Sequence, residues 1–501
     1  MISPLTDSAA RSRGRLIAYG VFWNSAFQVF LVAVSFGSML VLVRVIPPAE
    51  YGRAAAATGI LALINCFNCS YFISQAVQLR EGEQPDWAAH WRAGFYIQMV
   101  LTVACNAVAG VAWLLPSYRP IAPLLHVASL GLLVDAPNQL SLTMLRRDMD
   151  FKHMRMVQSI GALLTAAASV SLSLQGAGAY AMIIGANVLH GLPFGFYLLL
   201  VRRWRPPADW FRWPDWEAYR PALSFGGKIS ASALLTAARG ALEALVLPKA
   251  LGYEAMGLLN RAQVLFTTTF GRVNTLVVET VYPLLPRSAA DPVQFARHAT
   301  LFVQTMLLVS IPGAVFVALE GPLLSRLLYG HKWIAANPLI GPGTVFAWGV
   351  SVLLVFSSVL MAASRMRVWF IVSLFGAALS LPAILVASFH GEKMAYAWAL
   401  AGGQVAAVIV AMIHTSPLLE NGWVRHALLP PAVTSALAIT ALLLGSRWGG
   451  DLPLVARLSL YALIYALVAG LVMRWLFAPA LKSVLIRLPA GERIAKLLRY
   501  E

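Results

Sequence analysis

Four basic residues stand where a basic residue is costly. Lys228 and Arg239 lie in one long apolar stretch, and Arg261 and Arg272 in the next. A charge near the centre of a bilayer costs about 2.5–3.5 kcal/mol on insertion scales, so such side chains face a protein interior or a watery cavity. Each pair is eleven residues apart. That is about three helical turns, which sets both members on one helix face. Glu243 follows Arg239 at the i+4 spacing of a helical ion pair, and Glu279 shares its stretch with Arg272. Four positive charges against two negative leave +2 on one helical hairpin. Such an excess suits an anion, and a guanidinium is the side chain best shaped to hold a phosphate. The competing reading is that these ions pair with one another and only fix helix packing.

Other polar groups in apolar surroundings define weaker candidates. Asn24 and Gln28 are one turn apart and suit the lining of a polar cavity. Asp135, with Asn138 and Gln139, suits a coupling ion or sugar hydroxyls, or else caps a helix broken before Pro137. Cys66-Phe-Asn-Cys69 has metal-like spacing but lies in an apolar run with no further Cys or His close by in sequence, so packing is its expected role. Phe225-Gly-Gly-Lys228 lacks the full phosphate-loop pattern. Asp148-Met-Asp150 has the look of the metal-binding pair of sugar transferases, but in so short a basic loop a solvated turn is expected. No catalytic residue, metal or cofactor is expected.

The elements that must position these groups follow from composition. Of 501 residues, 59% are hydrophobic and 12% charged, about half the charged share of an ordinary soluble domain. Three cysteines exclude an extracellular disulfide scaffold, and the lack of a long polar run excludes a disordered chain. The fold class is therefore an all-α polytopic membrane protein. About 20 mainly apolar residues cross a bilayer, and fourteen stretches qualify: 16–43, 54–77, 93–115, 121–144, 156–174, 178–201, 222–247, 255–282, 299–320, 335–363, 368–389, 394–414, 427–446 and 454–478. The first is too long for a signal-peptide core and has no small-residue cleavage site after it, so it reads as a retained span. No connection exceeds about 20 residues, which leaves no room for an ATPase or nucleotide-sugar domain.

The net charge of +17 then finds its place. With the N-terminus inside, 24 of the 38 Lys and Arg fall in cytoplasmic segments and 8 in outer loops. That bias is the positive-inside rule, predicts cytoplasmic termini and makes nucleic-acid binding unnecessary. Trp204, Trp210, Phe211, Trp213, Trp216 and Tyr219 interleave with bases in the longest inner connection, the composition of a chain lying in the headgroup layer. The basic 481–501 tail reads either as an interfacial amphipathic helix or as a solubilising tail. A shift of 205 residues lays Arg44–Gly52 on Lys249–Gly257. Together with six spans on each side of the linker, this predicts an N-terminal six-helix lobe over 1–203, a linker over 204–220 and a second six-helix lobe over 221–420. Two additional spans over 421–480 and the tail complete the chain.

Three stretches carry a family likeness. Leu145-Arg-Arg-Asp-Met-Asp-Phe151, Gly252-Tyr-Glu-Ala-Met-Gly-Leu-Leu-Asn-Arg-Ala262 and Leu327-Leu-Tyr-Gly-His-Lys-Trp333 resemble the polysaccharide transporter family. These are the Wzx-type oligosaccharide flippases of the multidrug/oligosaccharidyl-lipid/polysaccharide exporter superfamily. Gly20–Gln28 and Pro48–Gly52 are similar to that family's opening, and the likeness runs from about residue 15 to 420. The resemblance implies two bundles in a V around a cavity of alternating access, in the bacterial inner membrane. It also implies a substrate, an undecaprenyl-diphosphate-linked oligosaccharide carried to the periplasmic leaflet, and, as partners, membrane lipids, a polysaccharide polymerase and a chain-length regulator. Cationic cavities are common in the family but their positions vary, so the assignment of Lys228, Arg239, Arg261 and Arg272 rests on this sequence. A multidrug exporter of the same superfold would want a net acidic cavity for cationic drugs. A glycan polymerase or transferase would want a sizeable catalytic outer loop. No carboxylate identifies a coupling ion from sequence.

Overall fold

Hydrocarbon offers a backbone no hydrogen-bond partner, so a chain this apolar must satisfy its own N–H and C=O groups by winding into helices. The computed structural model describes residues 27, 29–80, 83–271, 278, 284–449 and 452–476, and these are helices and short connections. The chain runs through α1 (Val29–Val45), α2 (Pro48–Ile64), α3 (Cys69–Ile73), α4 (Gln75–Gln78), α5 (Trp87–Leu114), α6 (Ala122–Leu133), α7 (Asp135–Arg147) and α8 (Phe151–Leu174). Then come α9 (Ala179–Ile183), α10 (Leu192–Phe196), α11 (Arg220–Ala250) and α12 (Gly252–Thr269). The rest holds α13 (Pro292–Leu328), α14 (Asn337–Ala362), α15 (Met366–Leu379), α16 (Leu381–His390), α17 (Lys393–Thr415), α18 (Trp423–Gly449) and α19 (Leu454–Leu476).

Among the described residues, ten helices are long and apolar enough to cross a membrane, or eleven if α6 and α7 are one bent span. These match eleven of the fourteen expected stretches, and the chain is a multi-span membrane protein. The other three fall on α1, on α11 and on α12 with the residues after it. Two spans are broken for local reasons. Pro137 lacks the N–H that would bond the Leu133 carbonyl, and α6 and α7 meet there at 45°. The second span is interrupted at Asn65–Phe67, and Asn68 restarts it by accepting a hydrogen bond from Ser70 N at 2.9 Å.

Packing separates two units, Met1–Gly257 and Leu258–Glu501. In the first, α11 lies on α2 and α3. Lipid tails give apolar helices no reason to leave lipid for each other, so close backbone approach supplies the attraction. Gly59 lets α2 touch Gly240 and Ala244 of α11. At the end of the same contact, a Cβ on Gly52 would overlap the Tyr253 carbonyl, and a Cβ on Gly257 would overlap that of Pro48. The shift of 205 residues that aligns the two motifs carries position 48 onto 253 and 52 onto 257. The contact is thus reciprocal, as it is where a two-fold axis relates two copies of one motif.

The linker is clamped to the first turns of α5. Arg92 Nη2 stands 2.6 Å from Asp209 Oδ1, and Tyr96 Oη donates to the Phe211 carbonyl at 2.7 Å. Ring contacts join Trp91 to Trp204, Phe95 to Trp210 and Tyr96 to Trp213, with centroids 4.9–5.4 Å apart. His90, buried, shares a 2.8 Å hydrogen bond with Tyr219. Arg92, chiefly through its hydrogen bond, holds the Asp209 carboxyl below the usual carboxylate range, so the pair persists at neutral pH and is lost only as pH falls through that lowered value. Phe211 and Trp213 remain 63% and 67% exposed, so the clamped linker still presents aromatic surface.

The second unit has its core between α13, α14, α15, α17 and α18, around Phe302, Phe356, Val359 and Trp423. The last helix, α19, packs on α18 and α13, and its Tyr465 hydroxyl donates to the Pro312 carbonyl in α13.

Gly52→Ala and Gly257→Ala are each expected to destabilise by about 1–3 kcal/mol through overlap with a backbone oxygen. Gly227→Ala, with open space around its Cβ, is expected not to. Thermal melts of the detergent-purified protein read the difference. In limited trypsinolysis, Arg92→Ala raises cleavage after Arg203 and Arg212 by about two- to fivefold, the worth of one exposed ion pair. Tyr219→Phe, which strips His90 of its partner, costs about 1–3 kcal/mol in the same melts.

Candidate functional site

Of the residues singled out by type and spacing, Lys228, Arg239 and Glu243 lie on α11, and the two bases share a face as eleven residues of helix require. Arg239 Nη1 meets Glu243 Oε1 at 2.6 Å, with both side chains largely buried. The expected i+4 pair is therefore formed, and it neutralises one of the bases. Lys228, a little over three turns toward the start of the helix, is exposed and makes no ion pair among the described residues. Arg261 lies on α12, half-buried, and donates through Nε and Nη2 to Asn260 Oδ1 at 3.3 and 2.9 Å. Arg272, Glu279, Asn24 and Gln28 lie outside the described residues, as does the 481–501 tail.

α11 is 31 residues long, about 46 Å at 1.5 Å per residue, and so exceeds the roughly 30 Å of hydrocarbon. Lys228 and Arg239 both lie within its length.

Asp135 proves to be the centre of a second polar node, all of it within the first unit. Its carboxylate accepts from Asn68 Nδ2 at 2.8 Å, from Gln139 Nε2 at 3.0 Å and from Gln98 Nε2 at 3.4 Å. Asn138, in the same turn, accepts from Gly195 N in α10 at 3.0 Å. Gln98 is wholly buried in α5, and its Nε2 also reaches Cys69 Sγ at 3.2 Å. The sequence marked Asp135 and Gln139 but missed Asn68 and Gln98. A lone amide in an apolar run gives no signal of its own, and the two come from different helices 30 residues apart.

The remaining motifs are structural. Asp148 pairs with Arg202, and Asp150 caps α8 through His153 N at 3.2 Å. Among the described residues no group of three or more His, Cys, Asp or Glu is placed to hold a metal. Arg147 spreads its guanidinium over the carbonyls of Ala76, Leu79, Arg80 and Glu83 and so closes the C-terminal end of α4. Cys66 and Cys69 are buried free thiols.

Comparison with known proteins places this architecture. The lipopolysaccharide biosynthesis protein WzxC of Escherichia coli (strain K12) is 21% identical over 399 residues, which is 79% of this chain and 78% of that one. The teichuronic acid biosynthesis protein TuaB of Bacillus subtilis (strain 168) is 19% identical over 145 residues, 29% of each chain. Among solved structures, the lipid II flippase MurJ in an inward closed conformation superposes with a TM-score of 0.72 at 12% identity, covering 91% of this chain and 99% of its own. An inward-facing multidrug resistance MATE transporter of the MOP superfamily gives 0.55 at 13% identity, covering 77% and 94%. The fold is thus that of MOP-superfamily transporters. The family model for polysaccharide biosynthesis proteins matches residues 41–338, more than half of the sequence, and the chain belongs to that family.

Proposed function

We propose that this protein is a flippase that moves an undecaprenyl-diphosphate-linked oligosaccharide from the cytoplasmic to the periplasmic leaflet by alternating access, for assembly of an exopolysaccharide, O-antigen or capsule. The observation that carries the reading is the line of cations on α11, in a family of polysaccharide biosynthesis proteins and on a fold shared with a lipid II flippase. A diphosphate cannot enter hydrocarbon unaided, and Lys228, Arg239, Arg261 and Arg272 are the bases that hold it along its path. The sugars need a wet cavity, with Asn24 and Gln28 in its lining, while the polyprenyl chain stays in lipid. Glu243 and Glu279 tune the cations by pairing.

In this reading α1, α11 and α12 complete fourteen spans, arranged as two six-helix lobes in a V with two further helices after them. The protein sits in the inner membrane with both termini in the cytoplasm, supported by the 24 to 8 distribution of loop bases. The reciprocal Gly52–Gly257 contact supports a duplicated origin for the lobes. Moving one negative charge outward against a negative interior gains about 2.3 kcal/mol per 100 mV, so the membrane potential assists the step. A polymerase and a chain-length regulator would act on the flipped product.

Leaflet-resolved assay of the lipid-linked saccharide in a strain lacking this protein tests the reading. Accumulation on the inner leaflet is expected, and absence of the intermediate would point to an upstream enzyme instead. Arg239→Ala and Arg261→Ala, at normal protein levels, are expected to cut export about tenfold or more, the worth of one charged hydrogen bond of about 1.5–3 kcal/mol. Lys replacements keep part of the activity. The Arg239→Ala/Glu243→Ala pair, which leaves no orphan charge, separates loss of a phosphate ligand from loss of folding, and wild-type export in it would remove Arg239 from the path.

A further inference from the structure

A carboxylate midway along a broken span, surrounded by amides and without a base, has two ways to exist in a membrane. It can stay ionised on the strength of its N–H donors, or it can take a proton. The node at Asp135 is built to permit both. The amides of Asn68, Gln139 and Gln98 aim N–H groups at the carboxylate and so hold an anion. No Lys or Arg pairs with it among the described residues. The independent observation is Gln98: it is wholly buried, and its Oε1 has no hydrogen-bond partner among the described residues while its Nε2 serves both Asp135 and Cys69. Turning that amide over exchanges a donor for an acceptor at the same spot. Oε1 then accepts from a carboxylic O–H of Asp135 and from the Cys69 S–H.

We propose that Asp135 is a proton-binding site, and that the proton it takes up loosens the joint between the two broken spans. The carboxylate Oδ2 receives both Asn68 and Gln98, and Asn68 at the same time caps α3 through Ser70 N. A proton arriving from the aqueous phase adds to a carboxylate oxygen and gives a neutral acid. At Oδ2 the new O–H turns the Gln98 amide over and displaces the Asn68 N–H, so the restart of the second span at Asn68 is no longer tied to the start of α7. Deprotonation restores the tie.

The surroundings leave Asp135 as the group that titrates here. From α3 the Cys69 thiol faces it, while Tyr71, two residues on, lies about 200° round that helix. On α5 the facing group is the neutral Gln98, with His90 and Arg92 about 9–12 Å back along the helix axis. α4 and α10, which also pack on α7, carry no titratable side chain. His126 of α6 is about 13 Å away along the helix, and Arg146 and Arg147 end α7 about 17 Å away. Lys152, His153 and Arg155 occupy the first turns of α8, beyond that end, and Tyr197 packs there with Leu145 and Met154.

This deepens the flippase reading by giving it a proton site, and two measurements on the purified full chain in lipid nanodiscs test it without any saccharide. Dicyclohexylcarbodiimide reacts with protonated carboxyls in apolar surroundings. Peptide mass spectrometry is expected to find its adduct on Asp135, increasing as pH falls with one midpoint that moves in Asn68→Leu. No adduct at any pH, or an equal one at every pH, would overturn the site. In the second measurement Cys66 and Cys105 are replaced by Ala and Cys69 is alkylated with N-ethylmaleimide at one neutral pH. Asp135→Asn, which imitates the neutral acid, is expected to raise the rate several-fold because the joint over Cys69 is open, and an unchanged rate would overturn the loosening. A negative result in either leaves the export assay of the flippase reading untouched, and a failed export assay leaves both of these standing.

Discussion

A bilayer interior supplies neither hydrogen bonds nor solvation for charge, and that deficit orders the whole molecule. Where Pro137 and the Asn65–Phe67 turn interrupt a span, freed polar groups have to be answered by side chains from neighbouring helices. Asn68, Gln98 and Gln139 answer at Asp135, Asn138 answers Gly195 N, and Arg147 answers four carbonyls at the end of α4. The same deficit sets Glu243 against Arg239. Each of these polar groups also ties one helix or turn to the next, so satisfaction of the backbone and assembly of the first unit are one process. A node of this kind is costly to disturb, because every removed partner leaves another buried group unanswered.

With hydrophobic attraction between helices weak in lipid, contact area and backbone proximity take over as the source of cohesion. The α2–α11 contact shows it, with Gly59 against Gly240 and Gly52 against the start of α12. At these glycines two helices meet without side chains between them. Gly52 and Gly257 stand 205 residues apart, the shift that aligns the two motifs, and each meets a backbone carbonyl of the other's motif.

The linker illustrates how interfacial chemistry and tertiary contact combine. A tryptophan-rich, arginine-rich connection would lie at a membrane surface on composition alone. Here part of its aromatic content is turned inward, onto Trp91, Phe95, Tyr96 and His90 of α5, and Arg92–Asp209 pins it there. The exposed remainder, Phe211 and Trp213, is presented from a fixed platform. The beginning of α11 is thereby anchored to α5, which sets where the helix bearing Lys228 and Arg239 starts.

Sequence by itself determined the class of protein, the approximate limits of eleven spans, the family, and the pairing of Arg239 with Glu243. Those properties depend on composition or on spacing within one helix, and both are written locally. Asp135 and Gln139 were also visible as a pair one turn apart. Only the tertiary structure decided what they meet. Asn68 and Gln98 come from separate helices, and neither a lone asparagine nor a lone glutamine in an apolar run announces a partner. The linker clamp and the Gly52–Gly257 contact are of the same kind. A one-dimensional pattern records which side chains share a face of one helix, whereas which faces meet is settled by the packing of many helices at once.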